Sequence, residues 1–111
     1  MERLVKGDVV VVPFPFSDLT TVKRRPALVV ATPGGDDIIL CQITSQQVRD
    51  RYAISISDTD FTEGTLQKAS NIRPNRLFSA DASLVLYRAG HLNDQAILSV
   101  VTRLIEILQA G

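Results

Sequence analysis

Val9-Val10-Val11-Val12-Pro13-Phe14-Pro15-Phe16 is the first apolar run of the chain, and Pro26-Ala27-Leu28-Val29-Val30-Ala31 is the second. Four successive valines favour extended backbone, and a run that is apolar at every position predicts a strand covered on both faces. Pro13 and Pro15 lack a ladder donor, so this strand is expected not to continue past Val12 inside a sheet. Ser17 to Arg25 reads as a polar loop, and Pro26 as the opening of the second strand. Pro33-Gly34-Gly35-Asp36 is a strong turn signal, which predicts a hairpin into a third strand from Ile38 to Ile43.

Further along, Tyr52-Ala53-Ile54-Ser55-Ile56-Ser57 alternates as a half-buried strand does, and Asp58 to Gly64 reads as a turn. Leu66 to Ile72 and Leu84 to Tyr87 read as strands, with a single helical turn over Asn75 to Ser79. The last segment is the clearest helix: Asn93 is a good N-cap and Asp94 suits the positive end. Ile97, Val100, Val101, Leu104 and Leu108 follow helical spacing, and Leu98, Ile105 and Ile107 widen the stripe to about half the circumference, beyond the ~100° that one buried surface needs. That surplus, with the two-sided strands, points to a second copy of the chain as partner. The expected fold is α+β and mostly β: a strongly bent sheet of antiparallel strands closing into a small barrel, with a C-terminal amphipathic helix, all in one domain spanning 1–111.

The 111 residues are 45% hydrophobic and 22% charged, ordinary globular usage that argues against disorder. No apolar stretch approaches the ~20 residues of a membrane helix, and the N-terminus lacks a signal-peptide plan. The single cysteine, Cys41, lies in an apolar run, which excludes an intrachain disulfide framework and suggests a buried thiol in the cytoplasm. One His and one Cys cannot build the common zinc sites, so no metal and no cofactor is expected. His91, just before the helix, reads as a hydrogen-bonded structural residue more readily than as a general base.

Net charge is zero, with 12 basic and 12 acidic residues, yet the basic ones cluster. Lys23-Arg24-Arg25 is one group; Lys68, Arg73 and Arg76 share a stretch free of acids between Glu63 and Asp81. Three polar clusters adjoin strand ends: Thr20-Thr21-Val22-Lys23-Arg24-Arg25, Gln42-Ile43-Thr44-Ser45-Gln46-Gln47, and Ser70-Asn71-Ile72-Arg73-Pro74-Asn75-Arg76. Hydroxyls, amides and guanidinium groups suit the phosphates and base edges of single-stranded RNA.

Gly7 to Leu19 with Lys23-Arg24-Arg25-Pro26-Ala27-Leu28-Val29-Val30, then Ile43-Thr44-Ser45-Gln46 and Ile72-Arg73-Pro74-Asn75-Arg76-Leu77-Phe78, resembles the MazF/PemK (Kid) family of bacterial toxins in order and spacing. The resemblance spans essentially the whole chain. It implies an SH3-like barrel, a homodimer, a cognate antitoxin as partner, and sequence-specific cleavage of single-stranded RNA, which needs no metal because the 2′-OH of RNA can attack the neighbouring phosphorus. Carried over by position, Arg25, Thr44 and Arg73 are the expected catalytic residues. Thr20, Thr21, Lys23, Arg24, Ser45, Gln46, Asn75 and Arg76 are the expected RNA contacts. Asn75 stands where some members carry Asp; if its segment is extended, it shares a face with Arg73. Two other functions fit the same barrel: an RNA-binding relative without activity, and an inhibitor of gyrase. The second relies on a terminal Trp-Gly-Ile in those relatives, whereas this chain ends Gln109-Ala110-Gly111.

Overall fold

The computed structural model describes residues 3–14 and 23–110. Seven strands form one curled half-barrel sheet in the order β4-β6-β3-β2-β1-β7-β5, every pairing antiparallel. They are β1 (Asp8–Phe14), β2 (Lys23–Gly34), β3 (Asp37–Thr44), β4 (Ile54–Ile56), β5 (Phe61–Gly64), β6 (Ser70–Asp81) and β7 (Tyr87–Leu92), followed by α1 (Asp94–Gln109). No helix among the described residues is long and apolar enough to cross a membrane.

The valine run does bury both faces. Val10 and Val12 join Phe14, Ala27, Val29, Ile38 and Leu40 in one cluster, while Val9 joins Leu28, Cys41, Ile43 and Ile72 in the other. The second cluster is roofed by α1 through Ala96 and Val100. Each fully buried valine contributes about 1.5–3 kcal/mol, so the central three strands are the heart of the fold. Burial also pushes the Cys41 thiol up to about 12, which leaves it a small apolar side chain.

Several elements differ from the sequence expectation, each for a physical reason. β1 runs through Pro13 to Phe14. Its pairing with β7 ends at Val11–Tyr87, so among the described residues Pro13 has only β2 beside it and no strand on the other side needs its missing donor. The hairpin is as expected, with Gly34 paired to Asp37 and Gly35 at φ 58, in the left-handed region that its turn requires. The turn expected over 58–64 is a single 3-10 turn, Asp58–Asp60, followed by the edge strand β5. Gly64 pairs with Gly90, and a Cβ at Gly64 would strike the Ala89 carbonyl, so this close approach needs glycine where the sequence suggested a loop.

The strand expected over 66–72 starts only at Ser70, and the turn expected over 75–79 is the middle of the twelve-residue β6. Between Cys41–Leu77 and Gln42–Arg73, β3 advances one residue and β6 four, so Pro74, Asn75 and Arg76 bulge out of the ladder. The strand expected over 84–87 is a 3-10 turn, Ala82–Leu84, capped by the Asp81 carboxylate, which accepts from the Ser83 amide at 2.8 Å. β7 follows it, and its polar, glycine-containing sequence is strand because β1 and β5 pair with it on both sides. Asn93 caps α1 as expected, its side chain accepting from the Ala96 amide at 2.8 Å.

Candidate functional site: a cationic cleft where the sheet splits

The β2–β3 ladder stops at Ala27–Gln42, although β2 extends back to Lys23 and β3 on to Thr44. Pro26, next in line, has no N–H to continue it. Beyond that point a cleft of about 610 Å³ opens, with Arg24, Arg25 and Pro26 on one side and Ile43, Thr44 and Ser45 on the other. Continuing the register of Ala27–Gln42 by two residues sets Arg25 across from Thr44.

The cleft floor is one cross-strand row. Tyr87 pairs with Val11 and Val11 with Pro26, and the same register carried on reaches Ile43; all four line the cleft. Thr65, Leu66, Gln67 and Lys68, with Arg88 and Ala89, close the opposite wall. Among the described residues the lining therefore holds four cations, Arg24, Arg25, Lys68 and Arg88 (the last paired with Asp8 and Glu63 behind the wall), and no carboxylate. In a chain of zero net charge, that segregation makes a positive concavity.

Local structure fixes these groups. Thr44 is buried at the end of β3, and its hydroxyl accepts from the Gln46 amide at 3.2 Å. Asn71, paired with Thr44, donates to the Gln46 carbonyl at 3.1 Å and accepts from the Ser55 hydroxyl at 3.0 Å, which pins the turn after Thr44. Arg88 is held from behind: Nε donates to Asp8 Oδ1 at 2.9 Å and a terminal amine donates to Glu63 at 2.5 Å. Those bonds, to Glu63 first and then Asp8, hold its guanidinium protonated beyond the ordinary arginine range.

Asp8 Oδ1 also lies 2.8 Å from His91 Nδ1, and Asp8 Oδ2 accepts from the Val5 amide at 2.9 Å. Burial raises the Asp8 carboxyl, but the Val5, Arg88 and His91 hydrogen bonds outweigh it and hold the group below its usual value. The only histidine thus ties β1 to β7 and lies outside the cleft lining, the structural role expected of it.

Of the residues expected at the site, Arg24, Arg25, Thr44 and Ser45 come together in the cleft. Lys23, Gln46, Arg73, Asn75 and Arg76 do not line it. Thr20 and Thr21 lie outside the described residues. Asn75 is exposed in the bulge, where strand alternation is broken, so the shared face expected for Asn75 and Arg73 does not follow. Arg73 instead makes an ion pair with the buried Asp50, at 3.6 Å. Sequence reasoning missed Tyr87 and Arg88, because the strand expected over 84–87 ends where β7 begins; an aromatic beside a cation was the available signal. Lys68 was visible as part of the acid-free stretch, but nothing local said that it would face Arg25 across a cleft.

Residues 5–108 match the family described as PemK-like, MazF-like toxin of type II toxin-antitoxin system. No curated protein sequence matches the chain. Among solved structures, an endoribonuclease in complex with its cognate antitoxin from a mycobacterial species superposes with TM-score 0.78 at 11% identity, covering 98% of each chain. MazF from Deinococcus radiodurans gives TM-score 0.77 at 17% identity, covering 97% of this chain and 98% of that one. The Mycobacterium tuberculosis toxin MazF-mt6 gives 0.72 at 10% identity, covering 91% of this chain and 95% of that one. At such identities the likeness is one of fold, and it extends over nearly the whole of each chain.

Proposed function

Since the chain belongs to the PemK-like, MazF-like toxins of type II toxin–antitoxin systems, we propose that it is a metal-independent, sequence-specific endoribonuclease of the cytoplasm, acting on single-stranded RNA as a homodimer and held in check by a cognate antitoxin. The observation that carries this reading is the cleft itself: among the described residues, four cations, no carboxylate, and Arg25 opposite the Thr44 hydroxyl. Such a lining attracts a polyanion. The exposed ring of Tyr87 on the floor offers a base a surface for stacking.

RNA brings its own nucleophile. The 2′-oxygen bonds to the adjacent phosphorus as its proton leaves to water, the bond from phosphorus to the 5′-oxygen breaks, and that oxygen takes up a proton. The products are a 2′,3′-cyclic phosphate and a 5′-hydroxyl. The part of Arg25 is charge: its planar fork donates to the phosphate oxygens as negative charge builds there. Thr44, fixed by the Gln46 amide, orients the phosphate or the 2′-OH. The test is a long single-stranded RNA incubated with purified protein in EDTA, read by sequencing the fragment ends. Discrete cuts support the reading, and intact RNA overturns it.

A further inference from the structure

Asp50 is the buried acid that the cleft chemistry leaves unused. Its side chain is 6% exposed, on the loop between β3 and β4. Oδ1 accepts from the Tyr52 amide at 2.9 Å, and the Asp50 carbonyl accepts from the Ala53 amide at 3.1 Å, so a tight turn fixes the residue. Oδ2 points at Arg73 Nε across 3.6 Å, and both atoms are buried without a hydrogen bond. A buried carboxylate that far from its cation is poorly compensated, and an unsatisfied pair of this kind calls for an explanation.

Arg73 supplies one. Its side chain is 20% exposed although Nε is buried, so the exposed part lies toward the tip. Neither terminal amine has a protein partner among the described residues. The guanidinium therefore has a carboxylate facing its base at 3.6 Å and an open tip. The register decides what the tip can reach. Thr44 pairs with Asn71, and Arg73 lies two residues further along the same strand, on the same sheet face. Such diagonal neighbours stand about 7–8 Å apart, a distance that an arginine side chain spans.

We propose that Asp50 is a positioning residue: its carboxylate fixes the base of the Arg73 guanidinium so that the two terminal amines face a phosphate of the RNA held beside Thr44. This rests on the nuclease reading above. With a phosphate on the fork, the guanidinium has an anion at each end, and the pair that is loose in the free protein has a reason to be there. A purely structural brace for the loop would need the Tyr52 bond and nothing from Arg73.

Asp50→Asn separates the two roles, because the amide oxygen still accepts from Tyr52 while the charge facing Arg73 is gone. In multiple-turnover cleavage of single-stranded RNA by the full chain, Asp50→Asn is expected to lower kcat about 10- to 100-fold, the scale of a misplaced positioning contact, with KM within about twofold. In an Arg73→Ala background the same change should have no further effect. Arg73→Lys keeps a charge opposite Asp50 and loses the fork, so it should show the same fall in kcat; it also answers the question if Asp50→Asn does not fold. Full kcat in folded Asp50→Asn or in Arg73→Lys, or a loss from Asp50→Asn that multiplies with that of Arg73→Ala, overturns the inference and leaves the nuclease reading standing. Wild-type protein that cuts nothing overturns both.

Discussion

Arg25 and Thr44 stand on opposite sides of the gap that opens between β2 and β3 past their last ladder pair, Ala27 with Gln42. The gap exists because Pro26 cannot donate, so one proline both ends the ladder and sets an arginine against a hydroxyl. Removing either group should spare the fold, since Arg25 is half-exposed and Thr44 closes a strand end. Arg25→Ala should cost about 3–4 kcal/mol of transition-state stabilisation, on the scale of deleting an oxyanion donor, and Thr44→Ala should also cut poorly. Initial rates on one RNA, with circular dichroism to confirm folding, check both. Near-normal turnover by folded Arg25→Ala would move the charge-stabilising role to Arg73.

Asp8 makes acid stability measurable. Its folded carboxyl lies below the ordinary value of 3.8, so its contribution is complete above that pH and is lost as pH falls through the folded value. Asp8→Asn should cost about 1–3 kcal/mol at neutral pH, as expected of a buried acceptor that loses charged donors. Thermal melts from pH 7 to pH 3 should show the wild type falling toward the variant. Parallel curves would mean that the Arg88 and His91 contacts contribute nothing through charge.

Position 75 should be quiet. Asn75 sits in the three-residue bulge of β6, and Arg73 already has a carboxylate in Asp50. Asn75→Asp should change single-turnover cleavage by no more than about twofold, the scale of one exposed charge. A rise of tenfold or more, larger at pH 7 than at pH 4, would mean that a carboxylate here acts as a base.

A dimer is expected from the apolar surface that the fold leaves uncovered. On α1, Leu98, Ile105 and Leu108 are exposed, the last at 75%, even though Leu108 follows the spacing of the buried stripe. Light scattering at micromolar concentration should give twice the chain mass. A monomer would contradict the dimer and leave those side chains without a cover.

What could be read in the sequence was local. The valine run, the Pro33 to Asp36 turn and the Asn93 cap each carry their structure in adjacent residues, and all three stand as expected. β5 and β7 could not be read, because they are strand only through distant partners: Gly64 pairs with Gly90, and Gly90 also pairs with Val9. The site divided in the same way. Arg24, Arg25, Thr44 and Ser45 were found from two short motifs, whereas Lys68, Tyr87 and Arg88 join them only through pairings between distant strands. The Asp50 contact with Arg73 joins a loop to a strand 23 positions later, and no local pattern announces it.

The central claim, that this cleft cuts RNA by way of the RNA's own 2′-OH, is tested most directly by the chemistry of the ends. A long single-stranded RNA is incubated in EDTA with wild-type protein and with Arg25→Ala, and the new termini are identified. The wild type should give discrete fragments bearing 2′,3′-cyclic phosphate and 5′-hydroxyl ends, and Arg25→Ala should give none. Intact RNA that nevertheless shifts on a gel, fragments with 5′-phosphate ends, or activity that returns only with added magnesium would contradict it.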